Sequence, residues 1–346
     1  MKKILFITIC WISITTYAQD YMIGADLSFL KEAEDKGFVF KDDGVEKPGL
    51  EIFKNHGYNW IRLRLFNSPE GGKWQLPNNL EYTIALAQDA KAKGYKFLLD
   101  YHYSDTWADP QKQFKPKAWK GLSQSELEQA VYDYTHNTML AFKNAGVYPD
   151  MVQVGNEISH GMIWPNGKLP DSWDNFAALL QSGINGVKAS CETDKCPQIM
   201  IHIDKGGDKE FTKYFYDKVA SYGIKFDVIG QSYYPWWHGN LLELRECLNF
   251  TALEYEKDIV LVEVAYNFKP QEYKEKTAPF PESPKGQKEF LEEVNAIILN
   301  IPNNRGVGIF WWEAAAPGRG FSSRTMFDED GNAQPVIHVF DQYTRN

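Results

Sequence analysis

Positive charge is scarce in this chain: 37 Lys and Arg stand against 46 Asp and Glu, a formal net charge of −9. That balance argues against nucleic acid and other polyanions as partners, because they need a basic face, and it suits a neutral substrate. Cysteine is also scarce. Beyond Cys10 there are only Cys191, Cys196 and Cys247. No pair of them is read as metal ligands. Cys191 and Cys196 could close a small loop if the protein is exported, and the odd thiol is expected to be buried. Long apolar runs are missing after the first residues, and nothing there approaches the roughly 20 residues that a membrane-spanning helix needs. Linkers, low-complexity tracts and short tandem repeats are absent too, which favours one continuous domain.

The start of the chain does carry a signal. Met1-Lys2-Lys3 is basic, Ile4 to Ile14 is apolar, and Thr16-Tyr17-Ala18 places small residues where a signal peptidase reads. Residues 1–18 are therefore expected to be a secretory leader cut after Ala18, with 19–346 as the mature catalytic domain, exported to the periplasm, the cell surface or the medium. A lipid anchor on Cys10 is the competing reading, but the bulky Ile9 precedes it. Roughly 330 residues then remain, enough for two average domains or for one large barrel of alternating strands and helices. A monomer is the default expectation.

Periodicity chooses between these. Eight short β-rich runs occur, at Met22 to Asp26, Trp60 to Phe66, Tyr95 to Tyr101, Met151 to Val154, Ile199 to Ile203, Phe226 to Ser232, Ile259 to Val264 and Val307 to Trp312. Helical patterns lie between them. Leu80, Ile84, Ala87 and Ala90 recur at three- and four-residue spacing before a stop at Gly94, and Ser123 with Glu126 forms a capping-box pattern that opens a helix ending at Gly146. Strand-helix alternation implies a parallel sheet, and eight units close into an α/β single (β/α)8 TIM barrel with its active site at the C-terminal strand ends. The rival open doubly wound sheet lacks the Gly-rich phosphate turn after its first strand.

Polar residues at those strand ends are Asp26, Arg62 and Arg64, His102, Asn156 with Glu157, Asp204, Tyr233, Glu263 and Glu313. Glu157 ends the run Met151-Val152-Gln153-Val154-Gly155-Asn156, and Glu263 interrupts Ile259-Val260-Leu261-Val262 before Val264. A carboxylate in such company is costly unless paired or used. For either Glu alone, an ion pair with an Arg such as Arg62 explains it equally well. Strands four and seven, however, lie across a closed barrel, so both side chains would enter one cleft. Two carboxyls about 5 to 5.5 Å apart are what a retaining glycosidase needs, Glu157 protonating the leaving oxygen and Glu263 attacking the anomeric carbon. Burial or mutual repulsion would hold the acid protonated, and Arg62 and Tyr233 would keep the nucleophile ionised. His102 lacks a second ligand at metal spacing and there is no nucleophile elbow, so a plain hydrogen-bonding role is favoured. Trp107, Trp164, Trp236, Trp237, Trp311 and Trp312 could stack on sugar faces or fill the barrel rim. Asp328-Glu329-Asp330-Gly331-Asn332 lacks the spacing and closing acid of a calcium loop and is read as a solvated turn.

The strand-end segments resemble glycoside hydrolase family 53, the endo-β-1,4-galactanases. The resemblance runs through Gly24-Ala25-Asp26-Leu27-Ser28, Arg62-Leu63-Arg64, Asp100 to Pro110, Gly155-Asn156-Glu157-Ile158, Ile199 to His202, Ser232-Tyr233-Tyr234-Pro235, Val262-Glu263, and Gly306-Val307-Gly308 to Trp312-Glu313. It implies a retaining barrel enzyme acting on β-1,4-galactan side chains of pectin without a cofactor for its chemistry. It further implies Glu157 as acid/base, Glu263 as nucleophile, Asn156 on the sugar 2-hydroxyl, and Trp107 as a subsite wall. Arg62 and Tyr233 would brace the nucleophile. By strand position Asp26, His102 and Asp204 line the same cleft, and Trp311 is a further candidate contact to the substrate. Two stretches depart from the family pattern. Ala314-Ala315-Ala316 follows Trp312-Glu313 where relatives carry Pro and an aromatic residue. Asn267-Phe268-Lys269-Pro270-Gln271 replaces an Asp- and His-rich loop that holds calcium in many bacterial relatives, so no metal is expected there.

Overall fold

All eight apolar runs form parallel strands, and hydrogen bonding closes them into one barrel. In chain order these are β1 (Met22–Asp26), β2 (Trp60–Leu65), β3 (Lys96–Tyr101), β4 (Met151–Val154), β5 (Gln198–Ile203), β6 (Val228–Tyr233), β7 (Asp258–Val264) and β8 (Gly306–Trp311). Each strand pairs with its sequence neighbours and β8 returns to β1, with Ala25 opposite Trp311. The sequence-derived boundaries agree to within about two residues, the usual scatter of such assignments. The computed structural model describes residues 21–69, 76–192, 196–270, 278–319 and 322–343. The expected leader lies outside them. Among the described residues no helix is long and apolar enough to cross a membrane.

Helices pack outside the strands. The two that periodicity marked span Leu80–Ala92, where Asn79 accepts a cap bond from the Tyr82 amide, and Gln124–Asn144, where the Ser123 and Glu126 capping box forms in both directions. The latter satisfies otherwise orphaned amide donors at the helix start. Cys191 and Cys196 are disulfide-bonded just after the helix Trp173–Ala189, while Cys247 is free and buried.

Inside the barrel the residues sort into layers because strand side chains alternate between faces. The floor is apolar: Met22, Trp60, Leu98, Met151, Met200, Val228, Val260 and Phe310 form one cluster. Gly24 has no side chain because a Cβ there would lie 2.2 Å from the Phe310 ring. Further along the same strands the inward positions turn polar, with Arg62 beside Asp26, Asp100 and Gln153, and with His202 buried on β5. A charged layer on an apolar floor can only be held by partners within the barrel itself.

Candidate active site

Two local backbone devices bring the carboxylates together. At β7, alternation from Val260 and Val262 would turn Glu263 outward. The register slips instead: Gln231 faces Leu261, and the next residue, Ser232, faces Glu263. This bulge inserts one residue and re-aims Glu263 into the barrel. At β4, Gly155 (φ 87°) and Glu157 (φ 47°) both adopt left-handed backbone, which swings Glu157 over the barrel mouth. For Glu157 that conformation is uncommon and costs energy, a pattern that recurs at functional sites.

A carboxylate oxygen of Glu157, one of Glu263 and a ring nitrogen of His202 lie within 4.8 Å of one another. The two acids sit in different company. Glu263 Oε1 meets Arg62 Nη1 at 2.8 Å and its Oε2 accepts from the Tyr234 hydroxyl at 2.9 Å. Among the described residues no cation pairs with Glu157, whose Oε1 accepts from the Ser232 hydroxyl at 2.7 Å. Burial, and then the charges of Glu263 and Asp204, push the Glu157 carboxyl well above the usual range. Burial raises Glu263 too, but Arg62 and the Tyr234 hydroxyl pull it back. Their environments therefore split the two acids, with Glu157 the one that keeps its proton.

Arg62 organises the floor of this pair. Fully buried, it donates to Asp26 (3.0 Å), Asp100 (2.8 Å), Asn156 Oδ1 (2.9 Å) and Gln153 (3.2 Å) besides meeting Glu263. Asn156 also donates to the Ala108 carbonyl at 2.9 Å, which fixes its amide. His102 lies between Asp100, 3.1 Å from Nε2, and the Ala108 amide, which donates to Nδ1 at 3.0 Å. That arrangement makes Nε2 the protonated nitrogen. Trp107 lies on the Arg64 guanidinium, 4.3 Å from ring centroid to charge centre, with Trp312 beside it at 6.2 Å. Arg64 in turn meets Asp26 and Glu313, whose carboxyl burial lifts to about 8 against the pull of Arg64. The resulting cleft, about 200 Å³, is lined by both Glu, Arg62, Arg64, His102, Trp107, Asn156 and Trp312, among others.

Three sequence-derived assignments need correction. Tyr233 points outward, its hydroxyl donating to the Gly239 carbonyl at 3.0 Å, and Tyr234 is the residue on Glu263. Trp311 likewise faces the helices, donating to the Arg324 carbonyl, while Trp312 enters the cleft. In both cases period-two alternation decides the matter: Ser232 and Tyr234 share a face, as do Phe310 and Trp312. Asp26, 1% exposed, has no surface to offer a substrate and holds Arg62 and Arg64 instead. Asp204 accepts from Ser159 and Lys205, and its charge reaches Glu157, so it stands beside the acid without lining the cleft between the two Glu. Ser232, His202 and Gln153 also belong to the site, and inward alternation along their strands is the sequence signal that marks each of them.

The chain matches the family model Glycosyl hydrolase family 53 over residues 22–340, which span the whole barrel. The protein belongs to glycosyl hydrolase family 53. An uncharacterized protein from the bgaB 5' region of Niallia circulans is 41% identical, covering 85% of this chain and 84% of its own length. The arabinogalactan endo-β-1,4-galactanase of Thermothelomyces thermophilus is 35% identical, covering 92% and 98%. A solved fungal β-1,4-galactanase superposes with a TM-score of 0.86 at 34% identity, covering 93% of this chain and 99% of that one. Membership makes this family 53 chain a glycoside hydrolase. Its own residues leave little room for a metal at the centre. Glu157, His202 and Glu263 could offer three ligands, but both His202 nitrogens are engaged, one with Ser232 at 2.8 Å and one with Asn156 at 3.1 Å. A second cluster, His56, His338 and Asp341, lies outside the cleft lining. In the stretch Asp328 to Asn332, Asp328 Oδ1 accepts from the amides of Asp330 and Asn332, which is a closed turn. Past β7, Asn267 ties its amide to Glu282 and Ser323.

Proposed function

We propose that this protein is an exported, retaining endo-β-1,4-galactanase that cleaves galactan side chains of pectin by double displacement, with Glu157 as acid/base and Glu263 as nucleophile. The carrying observation is the pair of carboxylates with oxygens within 4.8 Å. Oxygens that close support the short carboxyl separation of retaining enzymes, about 5 to 5.5 Å, over the roughly 6.5 to 9.5 Å at which an inverting pair seats its water. The substrate class rests on the galactanase relatives and the tryptophan-walled cleft; export rests on the leader-like residues 1–18.

In the first step Glu263, ionised beside Arg62 and Tyr234, forms a bond to the anomeric carbon while Glu157 gives its proton to the leaving oxygen. Glu157, now ionised, accepts from Ser232. In the second step it takes a proton from water, which attacks the same carbon and releases Glu263. Asn156, held by Ala108 and Arg62, would bond the sugar 2-hydroxyl, a contact that strengthens as positive charge develops on the ring. No cofactor enters this scheme. Reducing-end release from β-1,4-galactan, mannan, xylan and a β-glucan tests it, with activity expected on galactan alone. Hydrolysis of another polymer in preference to galactan would overturn the substrate.

Two variants probe the protonation states. Tyr234→Phe removes a donor that stabilises the Glu263 anion, so its carboxyl rises further and the acidic limb of the pH–rate profile moves to higher pH, with about a tenfold loss of rate. Tyr233→Phe should leave that limb in place, and the reverse result would restore Tyr233 to the site. Ser232→Ala withdraws the hydroxyl that favours ionised Glu157. The basic limb, which marks loss of the acid's proton, should then also move upward. A basic limb that stays put would detach Glu157 from the acid role.

A further inference from the structure

His202, fully buried on β5, touches both the main chain and the side chain of Glu157. Its Nδ1 faces the backbone amide of Glu157 at 3.4 Å, and its Nε2 lies 2.8 Å from the Ser232 hydroxyl, which reaches Glu157 Oε1 at 2.7 Å. One imidazole thus meets the acid directly at its amide and through a single hydroxyl at its carboxyl. Among the described residues Ser232 is the one hydrogen-bond donor to that carboxyl, and Glu157 otherwise opens on the cleft.

Counting protons fixes the direction of this chain. Burial, and then Arg62, His102 and His238 around it, push the His202 imidazole well below its usual range, so the ring is neutral and carries one proton. Both neighbours of Nδ1 argue against placing it there. The Glu157 amide is itself a donor, and a second donor facing it would leave a buried N–H unpaired. Asn156 Oδ1, 3.1 Å from Nδ1, is an acceptor, but its two lone pairs are taken by Arg62 Nη2 at 2.9 Å and Gln153 Nε2 at 3.0 Å. The proton therefore sits on Nε2 and is donated to Ser232 Oγ. A hydroxyl that accepts from His202 has its own hydrogen left for Glu157 Oε1. With Oε1 occupied as an acceptor, the proton of the acid belongs on Oε2.

We infer that His202 is a positioning residue of the reaction: through Ser232 it decides which oxygen of Glu157 carries the proton for the leaving group, Oε2 and not Oε1. The inference rests on Glu157 being the acid/base. Without His202 the Ser232 hydroxyl is free to turn, and Glu157 then spends its proton on Oγ through Oε1 while the leaving oxygen receives none. The other charged groups around Glu157, which are Glu263, Asp204 and Asp109, strengthen its hold on the proton but offer no donor that would choose between the two oxygens.

Nitrogen-15 NMR of the wild-type imidazoles reads the tautomer without any substrate, the His202 signals being those absent from His202→Gln. A protonated Nε2 and a bare Nδ1 are expected, and a protonated Nδ1 would overturn the inference. Kinetics then test the consequence. His202→Leu should lose about tenfold in kcat/KM on galactan but under about threefold on a galactooligosaccharide with a good leaving group, which needs no acid. Its basic limb should move to higher pH, as in Ser232→Ala, because the ionised carboxyl loses the same oriented donor. A role in packing alone would slow both substrates together and leave the limb in place. His202→Gln, whose amide can offer an N–H near the Nε2 position, should recover part of the galactan rate. The double variant Ser232→Ala/His202→Leu should be no slower than the poorer single one, since the two residues act as one chain. Equal losses on both substrates, additive losses in the double variant, or a basic limb that moves down would each reject the positioning role. If instead Glu157→Ala keeps its galactan rate, the acid/base reading itself fails and the inference falls with it, whichever tautomer the spectrum shows.

Discussion

Glu263→Ala is expected to lose about 10⁴-fold or more of its galactan hydrolysis, because the first displacement has no other nucleophile within reach. Its fold should survive, since Arg62 keeps Asp26 and Asp100 as partners. The informative experiment adds azide to the variant with an oligosaccharide that bears a good leaving group. Azide enters the face that the carboxylate vacated and displaces once, giving an α-glycosyl azide. Glu157→Ala should behave differently on the same substrate: the good leaving group needs no acid, the glycosyl-enzyme forms on Glu263, and azide then gives the β product. An α product from Glu157→Ala would exchange the two roles. Undiminished hydrolysis by Glu263→Ala would sink the double-displacement mechanism altogether.

Arg62→Met should be the most destabilising single change in the barrel interior, by about 3 to 5 kcal/mol, the cost of stranding buried charges whose partner is removed. Asp26 retains Arg64, but Asp100 and Glu263 lose their only arginine among the described salt bridges. Urea unfolding monitored by tryptophan fluorescence reads this as a lower midpoint, and a loss below about 1 kcal/mol would show that the network is not held by Arg62. Arg62→Lys should recover only part of the stability. A single ammonium cannot reproduce the planar fork that serves Asp26, Asp100, Asn156 and Glu263 together. Activity should fall in both variants, because Glu263 loses the charge that opposes its burial.

Much of this protein is legible in its residues. Eight apolar runs separated by helical periodicity force a parallel barrel, since a parallel strand pair must be joined by a crossover and the crossover must bury its apolar face on the sheet. Helix ends at Ser123 and Gly146 are written in local capping chemistry, which involves residues only a turn apart. Glu157 and Glu263 stand out as carboxylates in apolar company, a local anomaly visible without coordinates.

Tertiary structure decided which faces those residues take and what surrounds them. Strict alternation would have chosen Tyr234 over Tyr233 and Trp312 over Trp311, yet the same rule would have turned Glu263 away from the cleft. Only the slipped register between β6 and β7 brings it in, and a register is a property of two strands, not of one sequence segment. Asp26 read as a cleft residue because its strand end points there; the arginines of β2 that cover it belong to the neighbouring strand. The split between the two acids also comes from partners far apart in sequence, Arg62 on Glu263 and Ser232 on Glu157, because the electrostatics of a buried carboxyl depend on what lies within a few ångströms of it and not on its neighbours along the chain.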